Sequence, residues 1–176
     1  MSQASGYPAA RGDTFVHDKH PMKIASHLEK FRRLDETLRR LEPGRDQELW
    51  IWTAMNAGVH LLNAALHACG ATTESDAFHS QVEGLYAVPD RTAGTLHDAM
   101  LAPGDVMHVG QPPLAAPLPV AIERASKALR TIEDLRERFV RGSERADASL
   151  QHDWRVAYAS CVRELHATLD ACHGQR

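Results

Sequence analysis

From Leu49 to Thr73 the chain contains no Asp, Glu, Lys or Arg. A helix that is apolar nearly all round must be buried in a protein core or placed in a membrane. Thr53, Asn56, His60, Asn63 and His67 interrupt the apolar text at steps of three and four. In lipid each would need a partner, and an unsatisfied polar group there costs several kcal/mol. The stretch therefore predicts a central buried helix of a folded domain and no membrane partner. Its start is set at Asp46, a good N-cap type, and its stop at Gly70.

Three further helices follow from periodicity. Ile24, Leu28, Phe31, Leu34, Leu38 and Leu41 form one stripe, which predicts a first helix over about 22–41, ended by Pro43-Gly44. Leu118, Ile122, Ala125, Leu129, Ile132, Leu135 and Phe139 predict a third helix over about 118–141, with Pro119 in its first turn and Gly142 at its end. Leu150, Trp154, Ala157, Cys161, Leu165, Leu169 and Cys172 predict a fourth over about 144–172, with Ser143 as its cap.

The links at 41–46 and 142–144 are short, so helices one and two, and three and four, are expected as antiparallel hairpins. The fold class is all-α: a four-helix bundle with a long, partly irregular middle connection over 71–117. In that connection short helices are expected near Ser75–Val82 and Thr95–Leu101. Prolines punctuate the rest, and a connection this long usually serves binding. Residues 1–20 mix Ser, Gly, Pro and charge without apolar period and read as a flexible tail. Residues 21–173 read as one helical-bundle domain. No long strand pattern, GxGxxG or P-loop occurs, which argues against nucleotide-binding α/β folds.

Composition narrows function. Of 176 residues, 20 are Lys or Arg and 23 are Asp or Glu, a net charge of −3. A protein that coats nucleic acid carries a basic excess instead. Three cysteines, an odd number, do not make a disulfide framework, and a reducing cytoplasm is the expected compartment.

The candidate site lies on helix two. A water-facing helix normally shows Lys and Glu, whereas this face carries only amide, hydroxyl and imidazole. Asn56, His60, Asn63 and His67 are read as lining a secluded polar pocket covered by the 71–117 segment, with His79 and His108 contributed by that segment. The competing reading is a stripe hydrogen-bonded beneath the same segment.

Eleven histidines invite a metal reading. His60 and His67 are seven residues apart, about 10.5 Å along a helix. Ligands sharing one ion on one helix sit three or four apart, and neither HExxH nor Glu-x-x-His occurs. No metal and no cofactor are expected. The exception would be a fold that brings His79, His97, His108 or His166 over His60 or His67.

The run Ala54-Met55-Asn56-Ala57-Gly58-Val59-His60-Leu61-Leu62-Asn63-Ala64-Ala65-Leu66, followed by Cys69-Gly70 and Phe78-His79-Ser80, resembles the second helix of HEPN-type bundles. Those are small all-α domains of prokaryotic defence and nucleotide-linked systems. The likeness spans about 30 residues and implies the same bundle architecture. Ribonucleases of that family carry Arg, four to six residues, then His, and Arg145 and His152 fit with six between. The resemblance would make these two the catalytic residues, acting on RNA across a homodimer. Without it, the residues favour a binding protein for a protein partner or a small ligand, with a homodimer among the partners open to it. The enzymatic alternatives are a HEPN-like ribonuclease and a histidine-ligated metal hydrolase.

Overall fold

The computed structural model describes residues 23–73, 78–79, 85–90, 92–100, 106, 114 and 117–173. The expected tail at 1–20 lies outside them. The protein is an all-α bundle. Helix α1 spans Ile24–Leu38, α2 Gln47–Ala68, α3 Val120–Glu133 and α4 Ala148–His173. The first two helices pack as one pair and the last two as another, while α2 also packs on both α3 and α4.

The charge-free text of α2 places it at the centre. Trp50, Met55, Leu62 and Leu66 are buried as their spacing predicts, and Val59 is half-buried against the same core. Gly58 marks a close approach of α2 to α3, since a Cβ there would collide with the Leu129 side chain. At one end of the bundle Trp154 stacks on Trp50 with ring centroids 6.1 Å apart and takes Phe139 edge-on at 5.1 Å. Edge-to-face and offset contacts of this kind add to the area buried by the rings.

Three helix boundaries depart from expectation. The third helix is α-helical only to Glu133, and Arg136–Arg141 forms a π-helical turn. Its signature is the Gly142 N–H donating to the Glu137 carbonyl at 3.0 Å, five residues back. The wider turn carries Phe139 into the core against Trp154. Gly142 then fits where a Cβ would lie 2.5 Å from the Arg138 carbonyl oxygen.

The fourth helix starts at Ala148, and the cap is Asp147 rather than Ser143. The Asp147 Oδ1 accepts the Leu150 N–H at 2.8 Å. Residues 143–147 are held outside the helix by a side chain from α2. Buried Gln47 donates its Nε2 to the Glu144 carbonyl at 2.8 Å and to the Phe139 carbonyl at 3.3 Å, and its Oε1 accepts the Ala146 N–H at 2.9 Å. Of the groups bound, the Glu144 carbonyl is one that a longer α4 would have used within the helix. The first helix is also shorter than expected, since it ends at Leu38, and Leu41 packs on the core from the turn beyond.

The middle connection holds strands where short helices are expected. Strands β1 (Phe78–His79), β2 (Leu85–Asp90) and β3 (Thr95–Met100) form an antiparallel sheet in that order. The β2–β3 register runs from Leu85 opposite Met100 to Asp90 opposite Thr95. The turn is set locally: the Asp90 carboxylate accepts the Thr92 and Ala93 N–H groups at 2.9 and 3.0 Å, and Gly94 takes φ +68°. Asp supplies a side-chain acceptor for its own turn, and Gly enters the left-handed region without strain.

Candidate functional site

The polar face of α2 grades from water to core. Asn56 is exposed and donates its Nδ2 back to the Trp52 carbonyl at 2.7 Å. His60 is half-buried, and Thr53, Asn63 and His67 are buried. Burying a neutral polar group is tolerable only when it is hydrogen-bonded. Asn63 meets that need with the main chain of Val106. Its Nδ2 donates to the Val106 carbonyl at 2.8 Å, and its Oδ1 accepts the Val106 N–H at 2.7 Å.

His67 meets it with Thr72, whose Oγ1 lies 2.7 Å from the His67 Nδ1. Thr72 is brought there by the end of α2. Gly70 adopts φ +74°, and the Ala71 N–H folds back to donate to the Leu66 carbonyl at 3.0 Å. The 71–117 connection therefore lies on the stripe at two places, its start at Thr72 and its buried Val106.

The structure adds a residue that the sequence reading passed over. His27 of α1 is fully buried against this face. Its Nδ1 is 3.1 Å from the Nδ1 of His60, and its ring centroid is 5.3 Å from that of His60 and 5.4 Å from that of His67. A bond between two ring nitrogens requires one to donate and the other to accept, so at least one of the two imidazoles is neutral while it exists. The signal was present in the sequence: His27 lies four residues before Phe31, on the edge of the α1 apolar stripe.

The other expected site residues fall elsewhere. His79 is in β1, and His108 lies outside the described residues. Arg145 is exposed in the irregular 143–147 link, while His152 is exposed on α4. The two therefore do not share one helix face, because α4 begins after Arg145. Among the described residues no group of three or more His, Cys, Asp or Glu side chains is arranged to hold a metal ion. No helix among them is long and apolar enough to cross a membrane.

A recess opens where the C-terminal ends of α2 and α4 meet the N-terminal end of α3. This cleft has a volume of about 680 Å³ and is walled by Ala68, Ala121, Ala167 and Ala171, with Pro119 and Thr168. Small side chains on all three helices leave the space. At its edge the Arg124 guanidinium donates to the Glu164 carboxylate at 2.8 Å. Arg124 is 62% exposed and Glu164 21%, so this pair is wet on the cation side.

Cys69 and Cys172 also line the cleft, and both are half-buried. Partial burial raises the Cys69 thiol above its ordinary value, and the charge of a Cys172 thiolate nearby adds to the rise. No spacing rule on any one helix would have revealed this recess, since it joins three elements far apart in sequence. Compared with family models, with curated proteins and with solved structures, the chain finds no match.

Proposed function

We propose that the protein is a cytoplasmic helical-bundle binding protein that takes a small amphipathic ligand in the cleft between α2, α3 and α4. The observation that carries this reading is a recess of about 680 Å³ with alanine walls and one ion pair at its edge. That size lies within the range of roughly 300–1,000 Å³ common to small-molecule sites, and apolar walls with a few placed polar groups are their usual chemistry. An apolar ligand body would occupy the alanine-lined space. An anionic end would meet Arg124, and a cationic end Glu164. The polar stripe on α2 does not serve as this pocket, because Asn63 and His67 bind the middle connection instead.

Octanoate and octylammonium serve as probes of the two ends. Saturable shifts of the Ala68, Ala121 and Ala171 methyl signals with one of them, lost in Ala171→Trp, are the expected result. Arg124→Gln should weaken octanoate binding several-fold and spare octylammonium. Methyl signals that move with neither probe overturn the reading.

The HEPN-like resemblance supports a second reading, a ribonuclease using Arg145 and His152. In its favour are the helical-bundle architecture and the exposure of both side chains to solvent, where RNA has access. The histidine would act as general acid or base, and the arginine would stabilise phosphate charge.

A further inference from the structure

We propose that Cys69 and Cys172 form a reversible disulfide across the cleft, tying the C-terminal end of α2 to that of α4. The inference needs no ligand in the cleft and stands apart from the binding reading. Both residues line the same recess, and both are half-buried, so an oxidant has access to them. The third cysteine, Cys161, is fully buried and does not line it. Cys161 also sits eleven residues before Cys172 on the same helix, about 16 Å along its axis. A disulfide needs Cα atoms within roughly 7 Å, so those two cannot pair.

Both cysteines sit at the C-terminal ends of their helices. Cys69 is the first residue beyond α2, and it is followed by Gly70 at φ +74° with open space around its Cα. Cys172 is the penultimate residue of α4. A thiolate at Cys172 would lie near enough to raise the Cys69 thiol.

The oxidant is a low-molecular-weight disulfide, with oxidised glutathione as the probe. One protein thiol loses its proton and attacks a glutathione sulfur. A protein–glutathione bond forms, the glutathione disulfide breaks, and one glutathione thiolate leaves. The second protein thiolate then attacks the protein sulfur of that mixed disulfide and expels the second glutathione. Two protein thiols become one disulfide, one oxidised glutathione becomes two reduced molecules, and the two protons end on those thiols.

The experiment equilibrates full-length protein in glutathione buffers of graded redox ratio, quenches with acid, denatures and alkylates. Intact mass and peptide mapping then report on each cysteine. In oxidising buffer the expected product is a monomer lighter by two hydrogen masses that takes one alkyl group, on Cys161. Its Cys69 and Cys172 peptides stay linked until reduced. Cys161→Ser should keep the bond, whereas Cys69→Ser and Cys172→Ser should stop at a glutathione adduct on the remaining partner. Wild-type protein that takes three alkyl groups, carries separate glutathione adducts on both residues, or maps a bond to Cys161 overturns the proposal.

Discussion

The side chain of Asn63 holds the main chain of Val106 through both of its peptide groups, at 2.8 and 2.7 Å. The amide supplies both the donor that one contact needs and the acceptor that the other needs. Asn63→Asp sets a carboxylate against the Val106 carbonyl and removes the donor. The expected loss is about 1–3 kcal/mol, the cost of leaving a buried group unsatisfied. Urea titration measures it, and hydrogen exchange at the Val106 amide should accelerate. An unchanged midpoint would separate the middle connection from the stability of the bundle.

Leu62 tests the central position of α2. It is 2% exposed within the core. Leu62→Ala should destabilise by roughly 2–5 kcal/mol, from lost transfer energy and the cavity left behind. A denaturant midpoint equal to wild type would contradict the central placement.

Alkaline pH should weaken the fold through Cys161 and Tyr158. Burial pushes the Cys161 thiol from 9.0 up to about 12. Burial first, and then the Asp35 carboxylate that accepts the Tyr158 hydroxyl at 3.0 Å, pushes the tyrosine above its usual 10.0. Both groups keep their protons longer in the folded state than in the unfolded chain. The Cys161 contribution is complete below pH 9 and is lost as pH rises through 12, while that of Tyr158 begins to fall only above pH 10. Cys161→Ala should flatten the fall in stability over that window while costing about 1 kcal/mol at neutral pH. A fall as steep as that of wild type would show that Cys161 is not its source.

Arg145 and His152 are exposed, so Arg145→Ala and His152→Ala should each leave stability within about 0.5 kcal/mol of wild type. That makes them clean probes of the ribonuclease reading. RNA cleavage by wild type that disappears in both variants establishes it. Intact RNA with wild type, or cleavage indifferent to both substitutions, removes it.

Protein purified without an affinity tag should carry less than one transition-metal ion per chain. The approach of His27 to His60 supplies two ring nitrogens 3.1 Å apart, and zinc sites take three or four protein ligands. Elemental analysis checks the expectation. About one zinc, iron or nickel per chain, lost in His60→Ala, would promote the metal-hydrolase alternative.

The Leu49–Thr73 text by itself determined that α2 is buried, because no charged side chain along it competes for water. The apolar stripes likewise determined the other three helices, and the short links at 41–46 and 142–144 their pairing. The breaks in those helices were decided by distant partners. Gln47 binds the 143–147 main chain and delays α4, and the packing of Phe139 on Trp154 accompanies the π-helical turn before it. The β2–β3 hairpin was hidden for a related reason: its strands are exposed along much of β3 and lack an alternating apolar face. Its turn chemistry at Asp90 and Gly94 is local, yet it was not read as a hairpin turn.

The stripe from Asn56 to His67 was legible as a periodic polar face, but its use was not. Whether an amide lines an open pocket or grips a backbone depends on what lies above it, and Val106 is 43 residues away in sequence. His27 and the alanine-walled cleft are likewise tertiary facts. A histidine on one helix meets two on another only when α1 and α2 pack in this register. Four alanines become a recess only when three helix ends are set side by side. Spacing along a chain reports the faces of single elements, and folding decides which faces meet.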